Sequence, residues 1–310
     1  MRVAVFSHPA CSRHETGQGH PERPERLAAV RRGVAAAALG DSLIERDAPE
    51  ASDEQLQRVH TAAHVARVRR FAPDEGLVYF DADTPMGPMS LEAALRAAGA
   101  GIAAVDLACS KDAEAPRAAF CNVRPPGHHA CRDRAMGFCL FDNVAVAAAH
   151  ALAVHGLQKV AIADFDVHHG NGTEDVFAGD ARVLVCSSFQ QGIYPHPGPA
   201  TAANIVHVPL SDRLSADAQR DRIAEVFVER IAAFGPQLLL ISAGFDAHQR
   251  DPLGGLALRD ADYGAITRAL CDAAAPTSGG RVVSMLEGGY DLDALAGATA
   301  AHLRALAGSA

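Results

Sequence analysis

Apolar positions in this chain gather into short runs that recur along its length: Val3 to Phe6, Ala118 to Val123, Val160 to Phe165, Val183 to Cys186, Ile205 to Pro209, Leu238 to Ser242 and Val282 to Leu286. Continuous β-branched or apolar runs of this length predict strands buried on both faces. Ala-rich stretches with helical spacing fall between several of them, at Ser90 to Ala108, Asn143 to His155, Ala216 to Phe234 and Asp260 to Ala273. Parallel neighbours need crossover connections, so the alternation predicts an α/β fold, a mostly parallel central sheet with helices on both faces. No repeat, low-complexity linker or charge block divides the chain, and residues 1–310 read as a single domain. Ala274 to Gly280 reads as a loop, and His8 to Arg26, rich in His, Pro and Arg, as an ordered surface loop that shapes a pocket mouth.

Composition narrows the function classes. Charged residues are 21% and apolar residues 49% of 310, ordinary for a folded globular protein. The 28 basic and 37 acidic residues leave a formal charge of −9, the opposite of a nucleic-acid footprint, so direct nucleic-acid binding is not expected. The seven cysteines include no CxxC pair, and most sit in apolar surroundings, which predicts reduced buried thiols. No apolar run reaches membrane-span length and the N-terminus lacks a signal-peptide core, so no membrane association and a cytoplasmic address are expected.

Residues able to do chemistry follow the carboxyl ends of the predicted strands: Arg124-Pro125-Pro126-Gly127-His128-His129, the stretch Asp164 to Gly172, Gly244-Phe245-Asp246 and Glu287-Gly288-Gly289-Tyr290. In an open parallel sheet that rim is where ligands bind. Asp164, Asp166 and His168 stand at i, i+2 and i+4, so an extended chain turns all three to one side, with Phe165 and Val167 opposite. Two carboxylates and an imidazole after a buried strand are costly to desolvate without pairing or a cation. A metal explains them economically, with Asp246 as a third ligand and a fourth position left for water. Taken singly, each feature also has a structural reading: Asp as a cap, His128-His129 as a turn held by Pro125 and Pro126, Tyr290 as a packing residue. Their combination favours the site.

The chain resembles the zinc-dependent histone deacetylase superfamily, which includes acetylpolyamine amidohydrolases. The resemblance rests on HPERPERL from His20, RPPGHHA from Arg124, GFCLFDNVAVAA from Gly137, DFDVHHGNGT from Asp164, SAGFDAHQRDPLGGL from Ser242 and LEGGYDLDAL, whose Glu is Glu287. It implies an arginase-like α/β fold and a zinc amidohydrolase that removes an acetyl or acyl group from an acyl-lysine side chain or a small acylated amine, using a metal-activated water. It makes Asp166, His168 and Asp246 the ligands of one zinc per chain, His128 and His129 the tandem catalytic pair, and Tyr290 the oxyanion donor. Asp164 matches the carboxylate that orients His128, and Asn171 stands where some branches carry an Asp behind His129, a departure that resembles the class II branch. Gly137, Phe138 and Tyr194 match the acyl-lysine tunnel.

The resemblance further implies potassium at Asp164, Asp166, His168, Ser187 and Ser188, and a second such site near Phe177, Asp180, Val183 and Asn204. Leu253 occupies the place of a carboxylate expected in polyamine-selective relatives, which disfavours an acetylpolyamine. Asp81 or Asp83 could supply rim charge instead, or equally cap the helix beginning near Ser90 or hold a turn. Three other readings stay open at this point: an acetylpolyamine amidohydrolase, a ureohydrolase with paired manganese, and a non-catalytic acyl-binding module. The Asp₂His set is oxygen-rich and admits iron or cobalt as well as zinc. A homo-oligomer is compatible with all of this.

Overall fold

The computed structural model describes residues 1–308. Its strands are β1 Val3–Ser7, β2 Leu43–Asp47, β3 Val78–Tyr79, β4 Pro85–Met86, β5 Ala118–Cys121, β6 Val160–Asp164, β7 Val183–Gln190, β8 Ile205–Leu210, β9 Leu238–Ala243 and β10 Val282–Leu286. Its helices are α1 Glu25–Ala36, α2 Asp53–Leu56, α3 Ala62–Phe71, α4 Ser90–Ala108, α5 Asn143–Ala153, α6 Asn171–Phe177, α7 Ala216–Phe234, α8 Asp260–Ser278 and α9 Leu292–Leu306. Eight strands form one sheet in the order β2-β1-β5-β10-β9-β6-β7-β8, and every pairing in it is parallel. β3 and β4 form a separate antiparallel ribbon.

The apolar runs form the central strands because both their faces are covered: β5, β6, β9 and β10 are buried throughout. Helices α4 and α5 pack on one another and on these strands, while α1, α9, α8 and α7 pack in succession to make a second layer. Register brings the strand ends level. Asp164 pairs with Ser242, Leu286 with Ala243, and Met285 with Cys121, so the loops after β5, β10, β9 and β6, four neighbours in the sheet, leave from one edge. That edge carries all four chemistry-bearing segments.

Two boundaries differ from expectation by more than two residues. The stretch 274–280 is not simply a loop: α8 continues through Pro276 to Ser278 and stops at Gly279, whose φ of 59° gives a left-handed cap bonded back to Ala275. Burial of Ala274 and Ser278 where α8 packs among α7, α9 and the sheet offsets the hydrogen bond that proline removes. β7 extends four residues past Cys186 because Ser187 to Gln190 pair with His207 to Leu210. The segment His8 to Arg26 holds a 3-10 turn at Pro9–Arg13 and enters α1 at Glu25. All seven cysteines are free thiols, five of them buried. No helix among the described residues is long and apolar enough to cross a membrane.

Candidate active site

The end of β6 sets the geometry. Asp164 closes the strand, and the bend beyond it brings Asp166 and His168 to the site while Phe165 and Val167 are buried in the core. His168 Nδ1 lies 3.1 Å from Asp166 Oδ1 and 3.2 Å from Asp246 Oδ2, the latter delivered by the loop after β9. Backbone N–H groups hold both carboxylates: Gly288 donates to Asp166 Oδ2 at 2.8 Å and Val167 to Asp246 Oδ1 at 2.8 Å. Asp246 Oδ2 is buried without a hydrogen-bond partner. Gly244 and Gly288 make the close approach possible, since a Cβ at 244 would overlap the Asp166 carboxylate and one at 288 the Asp246 carboxylate.

These three side chains present one ligand atom each in a single cluster. Ligand atoms about 2.0–2.1 Å from a tetrahedral zinc lie roughly 3.3 Å apart, close to the separations seen here. Burial, then the neighbouring Asp166 charge, pushes Asp246 up to about 7. An orphaned buried oxygen, a carboxylate short of positive charge and the Asp₂His donor set all fit a divalent cation.

The tandem histidines come from the loop after β5. Asn143 Nδ2 bonds the Pro125 carbonyl at 3.1 Å, and Glu287 Oε2 accepts the N–H groups of Gly127 at 2.7 Å and His128 at 3.2 Å. His128 Nδ1 meets Asp164 Oδ2 at 2.8 Å, and His129 Nδ1 meets Asn171 Oδ1 at 2.7 Å, with the two rings 4.0 Å apart. Neutral Asn171 oxygen accepting from Nδ1–H leaves the His129 Nε2 lone pair free. Burial disfavours charge on both rings, but the outcomes diverge. Asp164 and Asp166 hold His128 well above the usual imidazole range, whereas burial and the charges on His128 and His168 hold His129 well below it.

A pocket of about 240 Å³ opens over this floor, lined by His128, His129, Gly137, Phe138, Tyr194 and Tyr290, with Asp83 and Leu253 also on its wall. The Tyr194 ring stands edge-on to His129 at 5.2 Å and Phe138 edge-on to Tyr290 at 6.0 Å. Gly137 adopts φ 56°, and a Cβ there would strike the His129 ring. Tyr290 is only 8% exposed, and burial raises its hydroxyl well above the usual phenol range, so it stays a proton donor. Asp81 Oδ1 accepts Asp83 N–H at 3.2 Å and so holds a turn, while Met89 stands at the N-cap of α4 and no side chain caps that helix.

The residues that carry this site from behind had no assigned role in the sequence. Glu22, within HPERPERL, is fully buried between Arg26 and Arg124. Arg26 bonds the carbonyls of Gly289, at 2.7 Å, and Glu287, and its guanidinium lies 5.0 Å over the Tyr290 ring. Asp251 Oδ2 accepts the Tyr290 N–H at 2.6 Å. His20 stands edge-on to Phe138, a pocket-lining residue, at 4.8 Å. The available sequence signal was a pair of arginines and a glutamate in motifs otherwise poor in apolar residues.

The potassium positions are less distinctive. Ser187 Oγ accepts from Gly170 N–H at 3.3 Å and Ser188 Oγ donates to the Asp164 carbonyl at 3.4 Å. The carbonyls of Phe177, Asp180 and Val183 converge on Asn204 Nδ2 at 2.8, 3.2 and 2.8 Å, so an amide donor occupies the centre of that group.

Comparison with known proteins assigns the arrangement to a family: the histone deacetylase domain model matches residues 20–306. The chain belongs to the histone deacetylase family. It is 39% identical to the histone deacetylase-like amidohydrolase of Pseudomonas aeruginosa, over 88% of this chain and 73% of that protein. It is 36% identical to the chloroplastic histone deacetylase 14 of Arabidopsis thaliana, over 94% of this chain and 74% of that one. The crystal structure of the HDA15 HD domain superposes with a TM-score of 0.87 at 35% identity, covering 99% of this chain and 90% of that one. Membership supports a deacetylase function, hence hydrolysis of acylated substrates. In this histone deacetylase homologue Asn171 offers a direct handle on the basicity of His129. A carboxylate in place of the Asn171 amide would stabilise the His129 cation more than the amide does, and the base form is lost as pH falls through its pKa. Asn171→Asp is therefore expected to move the acidic limb of the kcat/KM profile to higher pH; a limb that stays in place would show that Asn171 does not set His129 basicity.

Proposed function

We propose that this deacetylase is a zinc-dependent amidohydrolase that cleaves the acyl amide of an acyl-lysine side chain or a small acylated amine. The observation that carries the reading is that His129, His168 and Tyr290 line one pocket, with Asp166 and Asp246 clustered on His168 and Asn171 bonded to His129. Asp166, His168 and Asp246 would hold the zinc, which when bound supplies Lewis-acid charge for the carbonyl and the attacking water. His129, unprotonated at neutral pH, accepts the water proton at Nε2 as oxygen bonds to the acyl carbon. Tyr290 donates its hydroxyl hydrogen bond to the developing oxyanion. When the C–N bond breaks, the proton passes from His129 to the leaving nitrogen, and carboxylic acid and free amine depart, the acid giving its proton up in water so that the final products are carboxylate and ammonium. His128, kept cationic by Asp164, biases its neighbour toward neutrality and so keeps the base available. Phe138 and Tyr194 give apolar walls for an aliphatic stem.

Leu253 on the pocket wall presents no carboxylate to a distant ammonium, which supports lysine-type substrates. The half-buried Asp83 favours the acetylpolyamine alternative. The test is a panel of acyl-lysine peptides, acetylated polyamines and small acyl amides on the zinc-loaded protein, with His129→Ala as control. Peptide deacylation that disappears in the control is the expected result. Turnover confined to polyamines would assign the rim to Asp83, and zinc binding with no turnover on any substrate would leave an acyl-binding module.

A further inference from the structure

Beside the active site, and sharing no residue with its proposed zinc ligands, His169, Glu174 and His207 form a second cluster. They come from three elements: the loop after β6, helix α6 and strand β8. His169 Nε2 and His207 Nε2 lie 2.9 and 2.6 Å from the same oxygen, Glu174 Oε2. Thr201 Oγ1 donates to the other oxygen, Oε1, at 2.8 Å, which fixes the carboxylate and turns Oε2 toward the imidazoles.

A hydrogen-bonded cluster accounts for His207 but not for His169. His169 is 3% exposed, and neither ring nitrogen makes a directed hydrogen bond, although Nε2 is 2.9 Å from the carboxylate oxygen. Two nitrogens and an oxygen that close, with a buried imidazole otherwise unsatisfied, match donors that share a cation. The cluster lines an open cleft of about 700 Å³, where water can complete a coordination sphere. The grouping of Asp106, His150 and His155 is a contrasting case. There both imidazoles bond Asp106 Oδ1 at 2.7 Å, and the Arg58 guanidinium already supplies positive charge 3.0 Å from His150 Nδ1.

We propose that His169, Glu174 and His207 form a second metal site, separate from the catalytic one, that takes a divalent first-row transition ion through two imidazoles and one carboxylate. Borderline nitrogen donors with a single carboxylate select zinc, cobalt or iron(II) over magnesium or calcium. With the ion bound, the start of α6 is tied to β8, and α6 begins at Asn171, the residue that orients His129.

Zinc content after equilibrium dialysis at micromolar free zinc tests this on the full chain. Wild type is expected to hold two equivalents, His207→Ala one with deacetylation within about twofold of wild type, and His168→Ala one with deacetylation lost. Thr201→Val, a milder change, is expected to weaken the second equivalent by roughly 10–100-fold and leave the first unchanged. One equivalent in wild type, or two that persist in both His207→Ala and Thr201→Val, would overturn the proposal. Loss of activity in the wild-type protein with two ions bound would refute the deacetylation reading and leave the second site standing.

Discussion

Tyr290→Phe is expected to lower kcat by a factor of about 10²–10³ while KM and zinc content change little. The substitution removes one oxygen and leaves the ring, whose position depends on contacts that phenylalanine keeps: the Arg26 guanidinium 5.0 Å above it and Phe138 edge-on at 6.0 Å. The backbone that places the ring is fixed separately, by Asp251 accepting the residue 290 N–H and Arg26 bonding the Gly289 carbonyl. On the proposed mechanism what is lost is a preorganised neutral donor aimed at charge that develops only in the transition state, the kind of group whose deletion costs roughly 2.7–4 kcal/mol. A ground-state binding role would instead raise KM with kcat unchanged. Steady-state kinetics on the best substrate of the panel, with zinc measured on the same samples, separates the two; unchanged kcat would remove Tyr290 from the chemistry.

Much of this arrangement was legible in residue order, for a definite reason. The buried parallel strands are apolar along their whole length, so they stand out, and polar residues that follow them at one edge form a common rim. The period-2 spacing of Asp164, Asp166 and His168 does not carry over as a strand: β6 ends at Asp164, the chain bends through residues 166–168, and the Asp164 and Asp166 carboxylates each accept the N–H two residues on. Elements with weaker patterns escaped. β2 is an edge strand whose Glu45, Arg46 and Asp47 are exposed, so it has no apolar run, and α8 crosses Pro276 because its packing outweighs the local signal. Long-range pairing was the least visible. Nothing in the spacing of Glu22, Arg124 and Glu287 says that the first two form a buried ion pair, or that the third accepts hydrogen bonds from the His128 loop. Those contacts join segments more than a hundred residues apart and depend on the register of the sheet.

Glu22→Gln tests the consequence of that hidden network. Glu22 is buried completely with two guanidinium groups: Arg26 Nη1 at 2.9 Å, and Arg124, whose Nη2 reaches Oε2 at 2.6 Å and whose Nε meets Oε1. Neutralising the carboxylate leaves two buried cations with one less anion, and breaking such a pair from one side costs about 3–5 kcal/mol. A shift of that size in the denaturation free energy is the expected outcome. The pH dependence has a definite sign. Burial alone would raise the Glu22 carboxyl, but Arg124, then His14 and Arg26, pull it down from 4.5 to about 2 in the folded protein. Its contribution, about 3 kcal/mol for a shift of that size, is complete above pH 4.5 and is lost as pH falls toward 2. Glu22→Gln is therefore expected to flatten the stability profile across that acid window as well as lower the plateau. Arg26 also holds the carbonyls of Glu287 and Gly289, so a weaker anchor frees the loop that presents Tyr290. Turnover should fall with stability even at temperatures where the variant is folded. Denaturant titrations of wild type and variant from about pH 2 to 7, paired with kcat at pH 7, check both; equal stability at neutral pH would mean that the two arginines find compensation without Glu22.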